Sequence, residues 1–302
     1  MITSFAELRA ATRARTGCRV VIVAPHSHEI LLAARQAEDE LGIHCVLVGD
    51  AKVIRADPGT SHMEIIDAPS TREALDTALA LIHGGNGDVL MKGSVDTSTL
   101  MKAVLDEGKG LRTGRVLSDV VLLEYRGGAE GRLVMITDGG VVTTPDLKAK
   151  RELIINAAEV AHALGNPLPK VAVLSATEFV NPSLPSTLDA AVLSKMCERG
   201  QITGCVVDGP LALDNALSPE AAAEKGLHSP VAGHADILVG HSIEVSNSLA
   251  KGATYFAGLM LAHVIVGAKV PVLISSRADK SEARLLSMAV GGLMSNKQEG
   301  PR

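Results

Sequence analysis

The sequence predicts an α/β protein of two domains, in each of which a mainly parallel sheet is flanked by helices. Short apolar runs alternate along the chain with helix-like patterns. This alternation is typical of βαβ units whose strands are covered on both faces. A chain of 302 residues that is 46% hydrophobic and 21% charged is also long enough to build more than one core.

Apolar runs bounded by turn residues are the candidate strands. They lie at 19–25, 44–49, 63–67, 88–93, 116–124, 132–138, 170–175, 205–210, 235–240 and 270–276. Helical patterns fill the gaps between them, and the clearest predicts a helix over 146–164. Pro145 suits the start of this helix, and Gly165 followed by Pro167 suits its end.

A break in the βαβ rhythm marks the predicted domain boundary. The turn-like sequence RGGAEG separates two apolar runs, which predicts an antiparallel hairpin. A hinge is predicted after this hairpin, near 142–144. Domain I is therefore predicted to comprise 1–143 with 271–302, and domain II to comprise 144–270.

Composition and charge exclude several classes of protein. A formal net charge of −5 argues against a general nucleic-acid binder. Cys18, Cys45, Cys197 and Cys205 lie far apart without a zinc-site spacing, so we expect neither a disulfide framework nor a metal site, and a cytoplasmic location fits best. The N-terminal segment lacks the apolar core of a signal peptide, so export is not expected. The apolar stretch 252–266 is shorter than the roughly 20 residues of a membrane span, which predicts a buried helix and no membrane partner.

The segments that follow four of the predicted strands carry the candidate functional residues. They are MKGSVDTST, ITDGGVVTTPD, VDGPLALDNA and ISSRADKSEAR. In open parallel sheets anions bind at such strand ends, because free N–H groups and helix dipoles favour negative charge there. Small residues beside Arg or Lys suit the capture of a phosphate. A P-loop, a dinucleotide fingerprint and a serine-hydrolase elbow are all missing from the sequence, so those three enzyme classes lose support.

Several ordered segments resemble a known family. They are MKGSVDTSTLMKAVL (91–105), GLRTGRVLSDV (110–120), ITDGGVVTTPDL (136–147), VDGPLALDNALSPEAA (207–222), SPVAGHADILV (229–239) and PVLISSRAD (271–279). Together they resemble the phosphate acetyltransferase and phosphate butyryltransferase family, and more closely its butyryltransferase branch. The order and spacing of the segments over most of the chain is more specific than any one of them, since SRAD or DGP alone recurs by chance.

The resemblance implies a fold similar to that of the isocitrate and isopropylmalate dehydrogenases, with an active site in the interdomain cleft. The implied reaction interconverts a short-chain acyl-CoA and phosphate with an acyl phosphate and CoA, by direct attack of the CoA thiol. Coenzyme A is then a substrate, and neither a resident cofactor nor a metal is expected. The resemblance also implies a homodimer formed through domain II, in which the stretch 252–266 is the expected buried element.

A Ser-Arg pair after the last predicted strand carries the implied chemistry. Thiol attack needs a base, donors for the oxyanion and cations for the phosphate. By the resemblance, Ser276 donates to the oxyanion and Arg277 helps to hold phosphate. The alternative role for Ser276 is a helix N-cap, because a helical run over 279–290 follows, and for Arg277 it is a surface ion pair.

At the position of the catalytic base, this chain departs from the sequence pattern of the family that it resembles. The acetyltransferases place an acidic base a few positions beyond the Ser-Arg pair, and that spacing falls here on Ala283. Asp279 is the preferred base and Glu282 the alternative, although both could be first-turn acids favoured by the helix dipole. The chain also departs at His234 and at 240–241, where the histidines are either plain loop residues or an influence on acyl preference.

Five further residues are candidates for binding the phosphates of the substrates: Lys92, Arg112, Arg115, Asp138 and Asp208. Lys92 follows an apolar strand, so it is expected at the carboxyl edge of a sheet. Arg112 and Arg115 flank the small residues of LRTGR. Asp138 and Asp208 end apolar runs, where a carboxylate could cap a loop or orient a cation. Each also has a purely structural alternative: a structural lysine, a solvated loop, or a loop cap.

Two rival functions stay open from the sequence. A non-catalytic protein that binds acyl-CoA or a phosphate ester could keep this fold, since the base is unclear and the segment 240–247 is altered. A metal-dependent decarboxylating dehydrogenase would need clustered acidic ligands and an adenine-nucleotide loop, which this sequence does not supply. Acyl length also stays open, because three Phe, two Tyr and no Trp leave few bulky side chains to block a pocket.

Overall fold

The chain divides into two compact units. A computed structural model describes residues 1–127, 131–275 and 279–295. We keep the name domain I for the unit formed by Ala6–Arg115 with the chain from Ala262 onward, and domain II for the unit formed by Met1–Phe5 with Val116–Leu261.

Helices and strands alternate along most of the described chain, as the sequence predicts. In chain order they are α1 (Phe5–Arg13), β1 (Arg19–Val23), α2 (His28–Leu41), β2 (His44–Gly49), α3 (Ala51–Arg55), a 3₁₀ turn (Pro58–Thr60), β3 (Glu64–Asp67), α4 (Thr71–His83), β4 (Val89–Lys92), α5 (Thr97–Val104), β5 (Ser118–Tyr125), β6 (Arg132–Thr137), α6 (Leu147–Ala163), β7 (Lys170–Leu174), α7 (Pro185–Glu198), β8 (Val206–Leu211), α8 (Leu213–Leu217), α9 (Pro219–Glu224), β9 (Ile237–Val239), α10 (Ile243–Tyr255), β10 (Leu261–Val266), β11 (Val272–Leu273) and α11 (Ser281–Met294).

The sheet of domain I has the strand order β3-β2-β1-β4-β11-β10. Its strands are parallel except β10, which runs antiparallel to β11. The strand β1 lies at its centre and is buried from Val20 to Val23, which is why it reads as a continuous apolar run. Val23 lies opposite Lys92 in the register, so β1 and β4 end at the same edge.

The sheet of domain II has the order β5-β6-β9-β7-β8. The strands β5 and β6 form the predicted antiparallel hairpin, and β6, β9, β7 and β8 are parallel to one another. The predicted long helix is also present. Asp146 caps α6 by accepting a hydrogen bond of 2.7 Å from the N–H of Ala149, and Gly165 follows the helix in a left-handed conformation with φ 81°.

The boundaries of the two units differ from the predicted ones at 143/144 and 270/271. The hairpin belongs to domain II, because β6 pairs in parallel with β9. The first residues of the chain also join domain II, where the N–H of Ile2 donates to the carbonyl of Leu164 over 2.9 Å. The short strand β11 pairs with β4 in domain I, so the chain returns to domain I as the sequence predicts.

The stretch 252–266 is not the single buried helix that the sequence predicts. Helix α10 ends at Tyr255, the chain turns at Gly258 with φ 66°, and β10 follows. An apolar run of this length fits a helix or a strand equally well, and the β-branched residues in its second half favour the strand. Of the helices in the described ranges, none has the length and apolarity needed to span a bilayer.

Candidate active site

Lys92 is the last residue of β4 and is buried, with 5% of its surface exposed. Its ammonium group donates to the carbonyl oxygens of Gly93, at 3.3 Å, and Val95, at 3.1 Å. The main chain that follows β4 therefore turns around the ammonium group of Lys92. Main-chain carbonyl oxygens such as these help to stabilise a buried ammonium group.

The end of β4 lies unusually close to the end of β1. A Cβ atom on Gly93 would meet the carbonyl oxygens of Val23 and Ala24, so only glycine fits. The N–H of Ser94 donates to the carbonyl of Ala24 over 2.7 Å. Ala24 itself has φ 50°, a left-handed conformation that non-glycine residues adopt rarely and that tends to occur at functional sites.

A second buried cation comes from the C-terminal part of the chain, which also belongs to domain I. Arg284 lies in the first turn of α11 and is 4% exposed. Its guanidinium group donates to the hydroxyl of Ser275, just after β11. Burial lowers the pKa of Arg284, and the carboxylates of Asp279 and Glu29 oppose this effect. Because the ordinary pKa of arginine lies far above neutral pH, the side chain stays charged.

Lys92 and Arg284 line one cavity of about 240 Å³. Ser27, at the start of α2, and Ser94 add hydroxyl groups to its wall. Since a water molecule occupies about 30 Å³ in the liquid, the cavity has room for a tetrahedral oxyanion and several waters. Buried cations and hydroxyl donors around a small polar cavity are the chemistry of an oxyanion site.

The predicted catalytic segment is only partly described. Ser276 and Arg277 lie outside the described residues. Asp279 is half-buried, and its charge acts on Arg284. Helix α11 begins at Ser281, with Lys280 in the capping position, so the alternative role of Ser276 as the cap of this helix is wrong.

Glu282, the alternative base, lies in the first turn of α11 and forms an ion pair with Arg9. The ion pair gives Glu282 a structural role, as expected for an acid near a helix N-terminus. Of the two acids proposed as the base, Asp279 is the one whose charge acts on an arginine of the cavity. Asp279 as the base therefore stays a prediction.

Arg112 and Arg115 lie in the loop between α5 and β5. The guanidinium group of Arg112 is exposed and lies 3.0 Å from the carboxylate of Glu107. Arg115 is half-buried, and its N–H donates to the hydroxyl of Thr113 over 3.4 Å. Among the described residues, the lining of the cavity comes from the first turn of α2, from β4 and the residues that follow it, and from α11, and not from this loop.

Asp138 follows β6 in domain II and is 2% exposed. Its carboxylate accepts hydrogen bonds from the N–H groups of Gly140 at 2.8 Å, Val141 at 2.7 Å and Asp119 at 3.0 Å. Burial, reinforced by the charge of Asp119, raises the pKa of Asp138 to about 6. The carboxylate therefore holds the turn formed by the TDGG sequence. This arrangement corresponds to the structural alternative for Asp138, in which its side chain caps a loop.

Asp208 does not end a strand, because β8 continues to Leu211. The residue is half-buried, and its carboxylate accepts a hydrogen bond of 2.8 Å from the N–H of Gly209. The apolar run seemed to stop at Asp208 only because the strand carries one polar side chain before it ends. The expectation that Asp208 stands at a strand end is corrected accordingly.

Comparison with known proteins identifies the family of this chain. The model of the family described as "Phosphate acetyl/butaryl transferase" matches residues 61–291. The chain belongs to this family. Its members are transferases, so the chain is an enzyme of that class and the predicted family is confirmed. The matched range includes Lys92, Asp138, Asp279 and Arg284.

Relatives named as phosphate butyryltransferases and relatives named as phosphate acetyltransferases are both similar to the chain along nearly all of its length. A probable phosphate butyryltransferase of Bacillus subtilis (strain 168) is 43% identical, with 90% of this chain and 91% of the relative covered. The phosphate butyryltransferase of Clostridium acetobutylicum is 40% identical, with 97% and 99% covered. The phosphate acetyltransferase of Rhizobium meliloti is 41% identical, with 96% and 93% covered.

Solved structures confirm the fold class. A branched-chain phosphotransacylase from Enterococcus faecalis V583 matches with a TM-score of 0.81 and 30% identity, covering 92% of this chain and 99% of that one. A 4-hydroxythreonine-4-phosphate dehydrogenase from Klebsiella pneumoniae matches with a TM-score of 0.56 and 14% identity, covering 92% and 99%. The second match shows fold alone, and it places the phosphate acetyl/butyryl transferase fold near that of a dehydrogenase, as predicted.

Two features of this family member were not evident from its sequence. Arg284 is a charged residue at the start of an apolar helical run, but that pattern alone does not place it at a cavity. The departure at Gly240 has a steric reason, because a Cβ atom there would clash with the hydroxyl of Ser246. That hydroxyl donates to the carbonyl of Thr137 over 3.0 Å, so Gly240 lets α10 pack against the end of β6.

Proposed function

We propose that this transferase interconverts a short-chain acyl-CoA and inorganic phosphate with an acyl phosphate and CoA. The observation that carries the proposal is the cavity of domain I, where the buried ammonium group of Lys92 stands at a strand end. A cation in a poorly solvated site acts on phosphate more strongly than the same cation in water. Names of the relatives, which include phosphate butyryltransferase and phosphate acetyltransferase, support the same chemistry.

In the proposed step, the CoA thiol attacks the acyl carbon of the acyl phosphate. A carbon–sulfur bond forms, the carbon–oxygen bond to phosphate breaks, and phosphate leaves with the electron pair. The thiol proton passes to a base, for which we propose Asp279, while Lys92 stabilises the charge on the leaving phosphate. Ser276 as oxyanion donor and Arg277 as phosphate ligand enter through the family resemblance.

A thiol assay tests the proposal directly. Wild-type protein is mixed with butyryl-CoA and phosphate without added metal, and the release of CoA is followed. Phosphate-dependent release supports the enzyme. Tight CoA binding without release would instead support the rival, a non-catalytic acyl-CoA binding protein, and would overturn the proposal.

The proposed role of Ser276 has its own expected outcome. If Ser276 donates mainly to the developing oxyanion, Ser276→Ala lowers kcat by roughly 10²–10³ and leaves the KM values for CoA and phosphate almost unchanged. Full kcat in a folded Ser276→Ala protein would remove this assignment.

For the acyl group, we propose a preference for four carbons over two. The relatives do not decide this point, since a probable butyryltransferase at 43% and an acetyltransferase at 41% are about equally similar. One methylene in an apolar pocket is worth about 1–3 kcal/mol, so the selectivity should be graded. We expect kcat/KM to rise from acetyl- through propionyl- to butyryl- and isobutyryl-CoA. A preference for acetyl-CoA of more than about tenfold would contradict the butyryltransferase branch.

We also propose that the protein is a homodimer formed through domain II. An apolar groove of about 660 Å³ lies between α10 and the sheet of this domain. Phe256, which is 95% exposed, lies on the same surface. A protruding side chain beside a groove suits a two-fold interface, because each subunit can then fill the groove of the other. Light scattering should show a dimer that Phe256→Glu weakens, whereas a wild-type monomer at micromolar concentration would contradict the proposal.

A further inference from the structure

We propose that Ile30 and Val95 form an apolar wall of the domain I cavity, and that this wall contacts the acyl chain of the substrate and sets its preferred length. The inference rests on the proposed function and deepens it by assigning residues to the acyl preference. The group that the wall recognises is the short hydrocarbon chain that an acyl-CoA and an acyl phosphate share.

The cavity has an apolar part beside its polar one. Among the described residues that line it, Ile30 and Val95 are the two with apolar side chains. Ile30 is 3% exposed and Val95 is 5% exposed, so bulk solvent hardly reaches either of them. Apolar surface in such a place favours contact with a hydrocarbon group over contact with water.

Val95 connects the two parts of the cavity. Its carbonyl oxygen accepts a hydrogen bond of 3.1 Å from the ammonium group of Lys92, and its side chain lines the cavity. The apolar side chain is therefore held within a few bonds of a cationic group. An acyl phosphate has the complementary arrangement, because its hydrocarbon chain lies within a few bonds of an anionic group.

Both wall residues are held in place by an ordered backbone. Ile30 lies in the first turn of α2, where its N–H donates to the carbonyl of Ser27 over 3.1 Å. Val95 directly follows Ser94, whose N–H donates to the carbonyl of Ala24 over 2.7 Å. A wall that is fixed in this way discriminates by size, because an added methylene group then meets space that is already filled.

The size of the cavity suits a short chain. Its volume of about 240 Å³ equals that of roughly eight water molecules in the liquid. This space admits an acyl group of a few carbons, and the wall decides how many of them fit. Since one methylene in an apolar pocket changes kcat/KM by about tenfold or more, a wall residue that is one methylene larger or smaller should shift the preferred acyl length measurably.

The first test compares Val95→Ile with Val104→Ile in the full chain. Both substitutions add one methylene to a buried valine of domain I, but Val104 lies in α5 and does not line the cavity. Steady-state kinetics with inorganic phosphate give kcat/KM for acetyl-CoA and for butyryl-CoA. Val95→Ile should lower the butyryl-to-acetyl ratio of kcat/KM by about tenfold, and Val104→Ile should leave it unchanged. A ratio that Val95→Ile does not change, or that both variants change equally, would overturn the proposal.

A second pair of variants keeps the test decisive if Val95→Ile fails to fold. Ile30→Val removes one methylene from the wall, a change that buried positions usually tolerate. It should raise kcat/KM for valeryl-CoA relative to butyryl-CoA by at least about threefold. Ile82→Val, at a buried position in the last turn of α4, is the control and should leave this ratio unchanged. An Ile30→Val protein with the ratio of the wild type would contradict the proposal.

Binding without turnover separates the apolar wall from the proposed function. Calorimetry with acetyl-CoA, and separately with butyryl-CoA, is done in phosphate-free buffer, where no acyl transfer to phosphate can occur. If the wild type shows no acyl transfer but binds butyryl-CoA more tightly, and Val95→Ile removes the difference, the function falls and the wall stands. If the wild type transfers acyl groups but Val95→Ile and Ile30→Val keep its ratios of kcat/KM, the wall falls and the function stands.

Discussion

The ends of β4 in domain I and β6 in domain II both bury a charged side chain, and the two charges have opposite fates. Lys92, the last residue of β4, donates to nearby carbonyls and lines a cavity with Arg284. Asp138 after β6 accepts hydrogen bonds from three main-chain N–H groups and lies next to a second carboxylate, Asp119. At the end of β4 a cavity lies beside the charged group, whereas at the end of β6 the charged group is bound by the main chain of a turn.

This difference shows why a charged residue at a strand end is a weak guide to function. Both residues stand at the carboxyl end of a buried strand, and both have glycine directly after them. What distinguishes them is whether the charge is directed into a space that a ligand can enter. The comparison can be tested, because it requires activity to depend on the domain I residue and stability on the domain II residue.

Lys92→Met carries the largest expected effect. Removing a cation that stabilises the phosphate should lower kcat/KM by roughly 10²–10³. The melting temperature should stay the same or rise, because methionine has similar length and carries no buried charge. Steady-state kinetics and thermal unfolding on the same preparation measure both. A variant that keeps its activity but loses stability would show that Lys92 is structural, like Asp138.

Asp138→Ala should show the opposite pattern. The substitution removes the carboxylate acceptor of three main-chain N–H groups, of which that of Asp119 belongs to a buried residue. Each such group costs about 1–3 kcal/mol unless water replaces the partner, so we expect a loss of about 2–3 kcal/mol in the free energy of unfolding. Urea denaturation measures it.

Asp208→Ala is the matched control for Asp138→Ala, since the Asp208 carboxylate accepts a hydrogen bond from the N–H of Gly209. This control substitution should lower the free energy of unfolding by about 1 kcal/mol or less. The kcat/KM of the folded fraction of Asp138→Ala should stay within a few fold of wild type. A large loss of kcat/KM at full stability would make Asp138 part of the active site and would break the comparison.

The fold was predictable from the sequence wherever burial dictates the residue pattern. The strands β1 and β2 are buried along almost their entire length, so their apolar runs identify them. The strand β10 was missed because an apolar run has no periodicity that separates a strand from a buried helix. The domain boundary was misplaced because the pairing of β6 with β9 joins residues that are far apart in the chain.

The candidate site was less predictable than the fold. Lys92 was identified because a strand end predicts its location. Arg284 was not, because its place in the cavity depends on how α11 lies beside β4, which the local pattern does not contain. Asp138 was correctly placed after its strand, but its three hydrogen bonds depend on turn geometry and on the distant N–H of Asp119. Residue types predict what chemistry is possible, and long-range packing decides where it occurs.

Asp119→Asn tests the electrostatic side of the comparison with a smaller expected effect. The pKa of Asp138 is raised from 3.8 to about 6, so the folded state favours the protonated acid. This contribution to stability is complete below pH 4 and is lost as the pH rises through about 6. Removing the Asp119 charge should lower the pKa of Asp138 and so reduce that loss, while the part caused by burial stays.

Urea denaturation at pH 5 and pH 7.5 measures this difference. Histidine titration is common to the wild type and the variant and cancels in the comparison. Asp39→Asn, at an exposed position in α2, is the control and should leave the pH dependence unchanged. An Asp119→Asn protein that loses as much stability between the two pH values as the wild type would show that the two carboxylates do not interact.

Arg112→Ala has the smallest expected effect and contrasts an exposed cation with the buried one. The side chain of Arg112 is 48% exposed and that of its partner Glu107 is 90% exposed, and such pairs contribute about 0–1 kcal/mol to stability. Arg112 is a proposed ligand for substrate phosphates, so its removal should raise the KM for CoA, but only a few fold. Because salt screens exposed charges over about 10 Å at 0.1 M, this effect should disappear at high ionic strength. The effect of Lys92→Met should persist there, since screening hardly reaches a buried charge. An Arg112→Ala loss as large and as insensitive to salt as that of Lys92→Met would mean that exposure in the unliganded protein does not distinguish the two cations, and that the loop of Arg112 belongs with the cavity.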